Sequence, residues 1–141
     1  MKASELRINS TYLSVKFNTP VILTAEDIWE LVAVSEGASI DYYINLMFEP
    51  IELTEEWLEN DPFSKTIENI YETAFFTYGD KIIRTFRIIL HDNGFWVIID
   101  WSNGDGTRSS LNLGTYKYIH ELQNLYYFLA DEELKLTIKE S

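Results

Sequence analysis

Two runs of alternating apolar side chains flank an Asn-Gly step in residues 86–101, which read FRIILHDNGFWVIIDW. Alternation with a period of two predicts β-strands, because successive side chains point to opposite faces of a sheet. An Asn-Gly pair suits the two-residue loop of a type I′ hairpin, which needs positive φ at both loop positions. We therefore predict a β-hairpin that turns at Asn93-Gly94.

The predicted turn fixes which side chains share a face of the hairpin. It pairs Phe86 with Trp101 on a wholly apolar face, and Arg87 with Asp100 on a mixed face. The apolar face is expected to lie in the core. The mixed face also carries Trp96, so partial cover or a contact surface is expected there.

Further strands and one long helix extend this hairpin into a larger fold. Strands are predicted at 11–17, 21–23, 67–71, 74–78, 81–90, 95–101, 108–113 and 134–138. A helix is predicted from Tyr118 to Ala130, with an apolar stripe of Leu122, Leu125, Tyr126 and Leu129. The opposite, polar stripe is expected to be more exposed and consists of His120, Gln123, Asn124 and Tyr127.

The N-terminal half uses one local pattern twice. Residues 20–26 and 50–56 each contain an extended segment, a Thr in a capping position and the acidic start of a helix, and each helix carries a Trp. We predict a single α+β domain over 1–141, an antiparallel sheet packed by the C-terminal helix. An acidic βα-type portion with short helices covers about 1–66, and the sheet with its helix covers about 67–141.

Several classes of chemistry lack their residues in this chain. It has no Cys and two His, and it contains no phosphate-binding glycine motif and no Gly-x-Ser-x-Gly. We therefore predict no enzyme, no metal site and no cofactor, with a small hydrolase that uses Asp100 or His120 as the catalytic alternative. Without an apolar leader or a long apolar run, a cytoplasmic location is the default expectation.

The negative charge of the chain is concentrated in one segment. The formal net charge is −12, and residues 26–72 contain thirteen carboxylates and a single cation, Lys65. Such a segment repels the phosphates of nucleic acid but is attracted to a basic groove, although charge runs of this kind are more commonly solvated helix faces that keep the protein soluble. No direct nucleic-acid partner and no membrane partner is expected. The candidate partner-binding residues are Glu52, Glu55, Glu56, Glu59, Asp61, Trp96, His120, Gln123, Asn124 and Tyr127.

Three blocks of sequence carry a resemblance to a known group. Residues 117–129 read KYIHELQNLYYFL and are followed by Glu132-Glu133-Leu134, while residues 5–9 read ELRIN and residues 50–58 read PIELTEEWL. In this order they resemble a family of small proteins of Bacteroidetes phages and prophages, although the Gly of the family's first block is missing here. The resemblance implies an origin in a mobile element and no catalytic residues.

These observations lead to two expectations of function. The first is a phage-encoded acidic inhibitor, similar to an anti-CRISPR protein, that binds a host defence protein with a basic groove in the bacterial cytoplasm. An RNA-guided ribonuclease of type VI-B is the favoured target, because its guide channel must be basic. The alternative is a non-catalytic structural or adaptor protein of a phage or mobile element, which binds through the mixed sheet face and the polar stripe of the last helix.

Overall fold

A computed structural model of the protein describes residues 1–2, 5–35, 39–60, 62–76 and 82–137. The described residues form a mixed α and β structure in which all paired strands are antiparallel, as the sequence predicted. The elements are β1 (Thr11–Ser14), β2 (Thr19–Ile22), α1 (Ala25–Ser35), α2 (Ile40–Met47), β3 (Phe48–Glu49), α3 (Glu55–Leu58), β4 (Ser64–Ile67), β5 (Ile70–Phe76), β6 (Ile83–His91), β7 (Gly94–Ser102), β8 (Arg108–Tyr116) and α4 (Ile119–Ala130).

The chain divides into two compact units. The first contains Met1–Ile51 and Tyr118–Asn124, and the second contains Glu52–Lys117 and Leu125–Ser141. The two turns at the start of α4 therefore belong to the first unit, and the remainder of this helix belongs to the second. The single domain and its portions at about 1–66 and 67–141 stay predictions.

The first unit is built on a three-stranded sheet with the order β2-β1-β3. Its core cluster consists of Tyr12, Leu23, Leu31, Ile44 and Phe48. Helix α2 supplies Ile44 to this core and was not predicted from the sequence.

Helix α1 begins with the capping box that its sequence predicted. The backbone N–H of Thr24 donates to Asp27 Oδ2 at 2.8 Å, and the N–H of Asp27 donates to Thr24 Oγ1 at 3.3 Å. Both groups would lack partners at a free helix N-terminus. The second copy of the pattern behaves differently, because α3 is a single turn and Thr54 makes no capping hydrogen bond with its side chain.

The predicted exposure of the polar stripe of α4 was wrong for its three residues in the first unit, while Tyr127 in the second unit is exposed. His120 and Gln123 are each only 1% exposed, and Asn124 is half-buried. The side chain of Gln123 accepts a hydrogen bond from Thr11 N at 2.7 Å and donates one to Thr11 Oγ1 at 3.1 Å. Strand β3 pairs only with Leu13 and Ser14, so a helix side chain satisfies the backbone of Thr11 instead.

The second unit is built on a five-stranded sheet in the order β4-β5-β6-β7-β8. Tyr126 of α4 packs edge-on against Phe86 of this sheet, with ring centroids 5.4 Å apart, and also contacts Phe75. Leu122 and Tyr126 are buried as predicted, whereas Leu125 and Leu129 are half-buried.

The β6–β7 hairpin turns one residue earlier than predicted. His91 pairs with Gly94, so the loop residues are Asp92 and Asn93, and neither has the positive φ of a type I′ turn. Gly94 lies in β7 with φ 144°, and a Cβ atom there would lie 2.2 Å from the carbonyl oxygen of Tyr116. Glycine is therefore required for the close approach of β8, not for the loop.

The earlier turn changes the partners but keeps the faces of the hairpin. Phe86 pairs with Ile99, and Arg87 pairs with Ile98 rather than with Asp100, so the predicted pairs were wrong. The register differs by two residues, and side chains alternate with the same period, so each one stays on its predicted face. Arg87 still reaches Asp100 diagonally, with 2.5 Å between Nη1 and Oδ2.

Three other predicted strands differ from the structure. The strand predicted over 11–17 ends at Ser14, and residues 15–18 form a turn. Ile67 and Ile70 close a tight turn between β4 and β5 in which Asn69 has φ 66°, so the predicted strand over 67–71 is interrupted. The predicted strand at 134–138 is absent from its described part, residues 134–137, although Leu134 and Leu136 are buried. Their alternation reflects burial without strand pairing.

Replacement of Leu122 by Ala tests the packing of α4. The Leu122 side chain is fully buried, so we expect the free energy of unfolding to fall by about 2–5 kcal/mol in denaturant titrations. Phe128→Ala in the same helix is the control, because Phe128 is 83% exposed and its loss is expected to change stability by less than about 0.5 kcal/mol. Equal effects of the two changes would contradict the assigned packing.

Candidate protein-binding surfaces

The candidate residues are divided between the two units. The first unit contains three of them: His120, Gln123 and Asn124. The second contains six: Glu52, Glu55, Glu56, Glu59, Trp96 and Tyr127. Asp61 lies outside the described residues. Each group is described within its own unit.

Glu55 is held in place by two neighbours in the second unit. Its Oε1 accepts hydrogen bonds from Lys65 Nζ at 2.8 Å and from the hydroxyl of Tyr71. The bond from Lys65, and then that from Tyr71, lowers the pKa of Glu55 below its usual range. Burial, followed by the bond to Glu55, raises the pKa of Tyr71 well above 10. Glu55 thus holds a buried tyrosine in place, so its carboxylate has a structural role.

Other carboxylates surround Lys65 without taking part in this arrangement. The pKa of Lys65 is raised mainly by its hydrogen bond to Glu55, and the negative charges of Glu68 and Glu59 add to the shift. Glu56, Glu59 and Glu68 are exposed, and none has a salt-bridge partner among the described residues. Glu68 was not among the candidate residues, because the sequence did not predict the turn between β4 and β5 in which it lies.

Exposure separates the carboxylates of segment 26–72 into two groups. The half-buried ones all interact with neighbouring groups, and they are Asp27, Asp41, Glu55 and Glu72. The exposed ones are Glu26, Glu30, Glu49, Glu52, Glu56, Glu59 and Glu68. Of these seven, only Glu52 has a salt bridge among the described residues, an exposed one with Lys117 at 3.1 Å. Exposed pairs of this kind add little stability, so the group is available to a partner.

The mixed face of the second unit's sheet combines an ionic row with an exposed tryptophan. Arg87 forms salt bridges with Glu72, at 2.7 Å between Nε and Oε1, and with Asp100. Asp100 also accepts a hydrogen bond from the hydroxyl of Ser110. Trp96 is 47% exposed, pairs across the strands with Ile89, and contacts His91 edge-on at 5.8 Å. This face offers a partner one large aromatic side chain beside satisfied charges.

His120 lies in an aromatic stack in the first unit. Its ring stacks on Tyr118 at 5.8 Å and on Tyr12 at 5.1 Å, and burial lowers its pKa below 6.5. Neither ring nitrogen has a hydrogen-bond partner among the described residues. A ring enclosed in this way favours the neutral imidazole, because the charged form loses its hydration.

Asn124 links α4 to the N-terminal segment of the first unit. Its Oδ1 accepts hydrogen bonds from Arg7 Nε at 2.7 Å and from Ser10 Oγ at 2.9 Å. Together with Gln123 it holds the first strand of the unit, so the amides predicted as a contact surface are engaged inside the protein. Tyr127, in contrast, is exposed in the second unit.

Other kinds of site were sought in the part of the chain that the structure describes. In the described ranges, no group of three or more His, Asp or Glu side chains could hold a metal ion. No helix there is both long and apolar enough to cross a membrane. Comparisons with protein-family models, with curated proteins and with solved structures found no match to the chain.

Charge reversal at two neighbouring positions distinguishes a carboxylate that stabilises the fold from one that is exposed. Glu55→Lys places a cation against Lys65 and removes the acceptor of Tyr71, so we expect a lower melting temperature. Glu56→Lys, one residue later, is the matched control and is expected to leave the melting temperature nearly unchanged because Glu56 is exposed. Similar melting temperatures for both variants would show that the Glu55 contacts contribute no stability.

His120 predicts a pH dependence of folding. Because its pKa is lowered in the folded protein, the unfolded chain binds the proton more tightly. Its contribution to stability is therefore complete above about pH 6.5 and is lost as the pH falls toward the lowered pKa. We expect a smaller loss of unfolding free energy between about pH 7 and pH 5.5 in His120→Gln than in the wild type. An equal loss in the two proteins would contradict this role of His120.

Proposed function

We propose that the protein is a non-catalytic inhibitor that binds a basic surface of another protein. The observation that carries this proposal is the exposure of seven carboxylates in segment 26–72, three in the first unit and four in the second. Six of them lack a salt-bridge partner among the described residues. Like charges that stay uncompensated cost stability through mutual repulsion. A cationic partner removes that cost on binding and is also attracted over a distance.

The surroundings of the two catalytic candidates support binding rather than hydrolysis. The carboxylate of Asp100 is held by Arg87 and Ser110, and only 6% of the residue is exposed. His120 is 1% exposed and stacks on two tyrosine rings at the border of a cavity of about 400 Å³, with both ring nitrogens buried. A general acid or base must reach a proton of the substrate, and neither group is exposed for that step.

The proposed partner is a nucleic-acid-handling defence protein in the cytoplasm of a bacterial host, with a type VI-B RNA-guided ribonuclease favoured. A channel that holds RNA is lined with cations to neutralise phosphate, and exposed carboxylates can compete for the same cations. The resemblance of three sequence blocks to proteins of Bacteroidetes phages and prophages supports an origin in a mobile element.

A pair of equally charged variants tests the role of the acid. Glu56→Lys/Glu59→Lys and the control Asp92→Lys/Glu132→Lys each replace two exposed carboxylates of the second unit. With a recombinant type VI-B ribonuclease we expect the first variant to lose about tenfold or more in association rate at low salt, and the control to lose much less. Inhibition of target-RNA cleavage should fall in parallel, while melting temperatures stay similar.

Two results would contradict this proposal. Equal losses of association rate in both variants would show that only the net charge matters and not the position of the carboxylates. If the wild type does not bind, this ribonuclease is not the partner. Recovery of proteins from a Bacteroidetes host lysate, identified by mass spectrometry, then tests the wider class. A partner that handles no nucleic acid would exclude that class.

A structural or adaptor role is the second candidate, and one observation favours it. The second unit exposes large apolar side chains, at Trp96 on the sheet and at Tyr127 and Phe128 in α4. Exposed apolar groups of this size often belong to interfaces. If Trp96→Ala abolishes binding while charge reversal and added salt do not, the acid only keeps the protein soluble and the adaptor role is correct.

A further inference from the structure

An apolar groove runs along α1 in the first unit. It has a volume of about 310 Å³ and is lined by Ile8, Ala25, Ile28, Trp29 and Val32. Trp29 is 71% exposed and Val32 is 48% exposed. Tryptophan buries a large area when it is covered, and it dominates the binding energy of many interfaces.

The groove borders the side of α1 that forms the core. Leu31 is buried in the core cluster, and Ile28 packs against that cluster and also lines the groove. Ala25, Trp29 and Val32 follow one another at spacings of four and three residues beyond it, so the apolar surface of α1 is wider than the part that the core covers. The capping box at Thr24 fixes the start of the helix beside the groove.

Two carboxylates flank this apolar stripe. Glu26 and Glu30 are one turn apart, both are exposed, and neither has a salt-bridge partner among the described residues. A second copy of this chain would bring the same carboxylates to a symmetric interface and be repelled, and an anionic membrane would be repelled as well. A cationic polypeptide is attracted to the flank and can also cover the apolar stripe.

We propose that this groove receives a basic amphipathic helix of a partner protein. Apolar side chains of that helix, spaced three and four residues apart, would cover Trp29 and Val32, and Lys or Arg beside them would reach Glu26 and Glu30. The inference deepens the proposed function and rests on it, because it assumes a basic protein partner. It adds an apolar anchor in the first unit to the carboxylates of the second.

The experiment uses synthetic helices as probes on the full chain. The main probe is an amphipathic peptide with a Leu face and a Lys face, and one control peptide replaces Leu by Ser while another replaces Lys by Glu. Binding is followed by the NMR signals of the four Trp indoles. We expect the Leu/Lys peptide to shift the Trp29 signal saturably, and both control peptides to bind about tenfold more weakly or not at all.

Variants of the protein locate the bound probe. Trp29→Ala should weaken binding of the Leu/Lys peptide about tenfold or more, and Ile83→Ala, which removes an exposed apolar side chain of the second unit, should leave it unchanged. Glu26→Gln/Glu30→Gln should weaken binding and reduce its dependence on salt.

Three outcomes would overturn the groove assignment. They are equal binding of the Glu-containing peptide, no effect of Trp29→Ala, and a Trp29 signal that changes with protein concentration alone because the chain self-associates. If Glu56→Lys/Glu59→Lys loses binding to the ribonuclease while Trp29→Ala keeps it, this inference is overturned and the proposed function is supported. If both variants keep full binding to the ribonuclease, the result instead counts against the proposed function.

Discussion

The first unit depends on the pairing of a helix amide with a strand. Strand β3 is two residues long and leaves Thr11 beyond its reach, and the side chain of Gln123 supplies both an acceptor and a donor in its place. A buried N–H without a partner costs about 1–3 kcal/mol, so this pair restricts where the start of α4 can lie. Asn124 adds Arg7 and Ser10 to the same helix by hydrogen bonds to one oxygen.

The separation in sequence between contacting residues explains which parts of the fold could be predicted. The alternation in residues 86–101 predicted the two faces of the hairpin, because a face depends only on the period of two. The turn could not be predicted, because Gly94 is required by the backbone of Tyr116, which is distant in sequence. For the same reason Gln123 was assigned to the surface, since its partner at Thr11 lies 112 residues away.

The acidic segment shows the same difference between composition and placement. Counting charges located the excess correctly but could not separate Glu55, which holds Tyr71 and Lys65, from the exposed Glu56 beside it. The charge count also did not single out Glu68, whose charge acts on Lys65 from the turn between β4 and β5. The exposed carboxylates form the binding candidate because the fold does not use them.

The repeated pattern of residues 20–26 and 50–56 shows why exposure must be observed. Each copy leads to a helix with one tryptophan, yet Trp57 is buried in the single turn of α3 while Trp29 is exposed on the eleven-residue α1. A single turn places its few side chains wherever the surrounding core requires, whereas three turns offer more sides than one core can cover. The longer helix therefore has apolar surface that the core leaves uncovered, and the carboxylates beside Trp29 favour the proposed cationic partner over an anionic one.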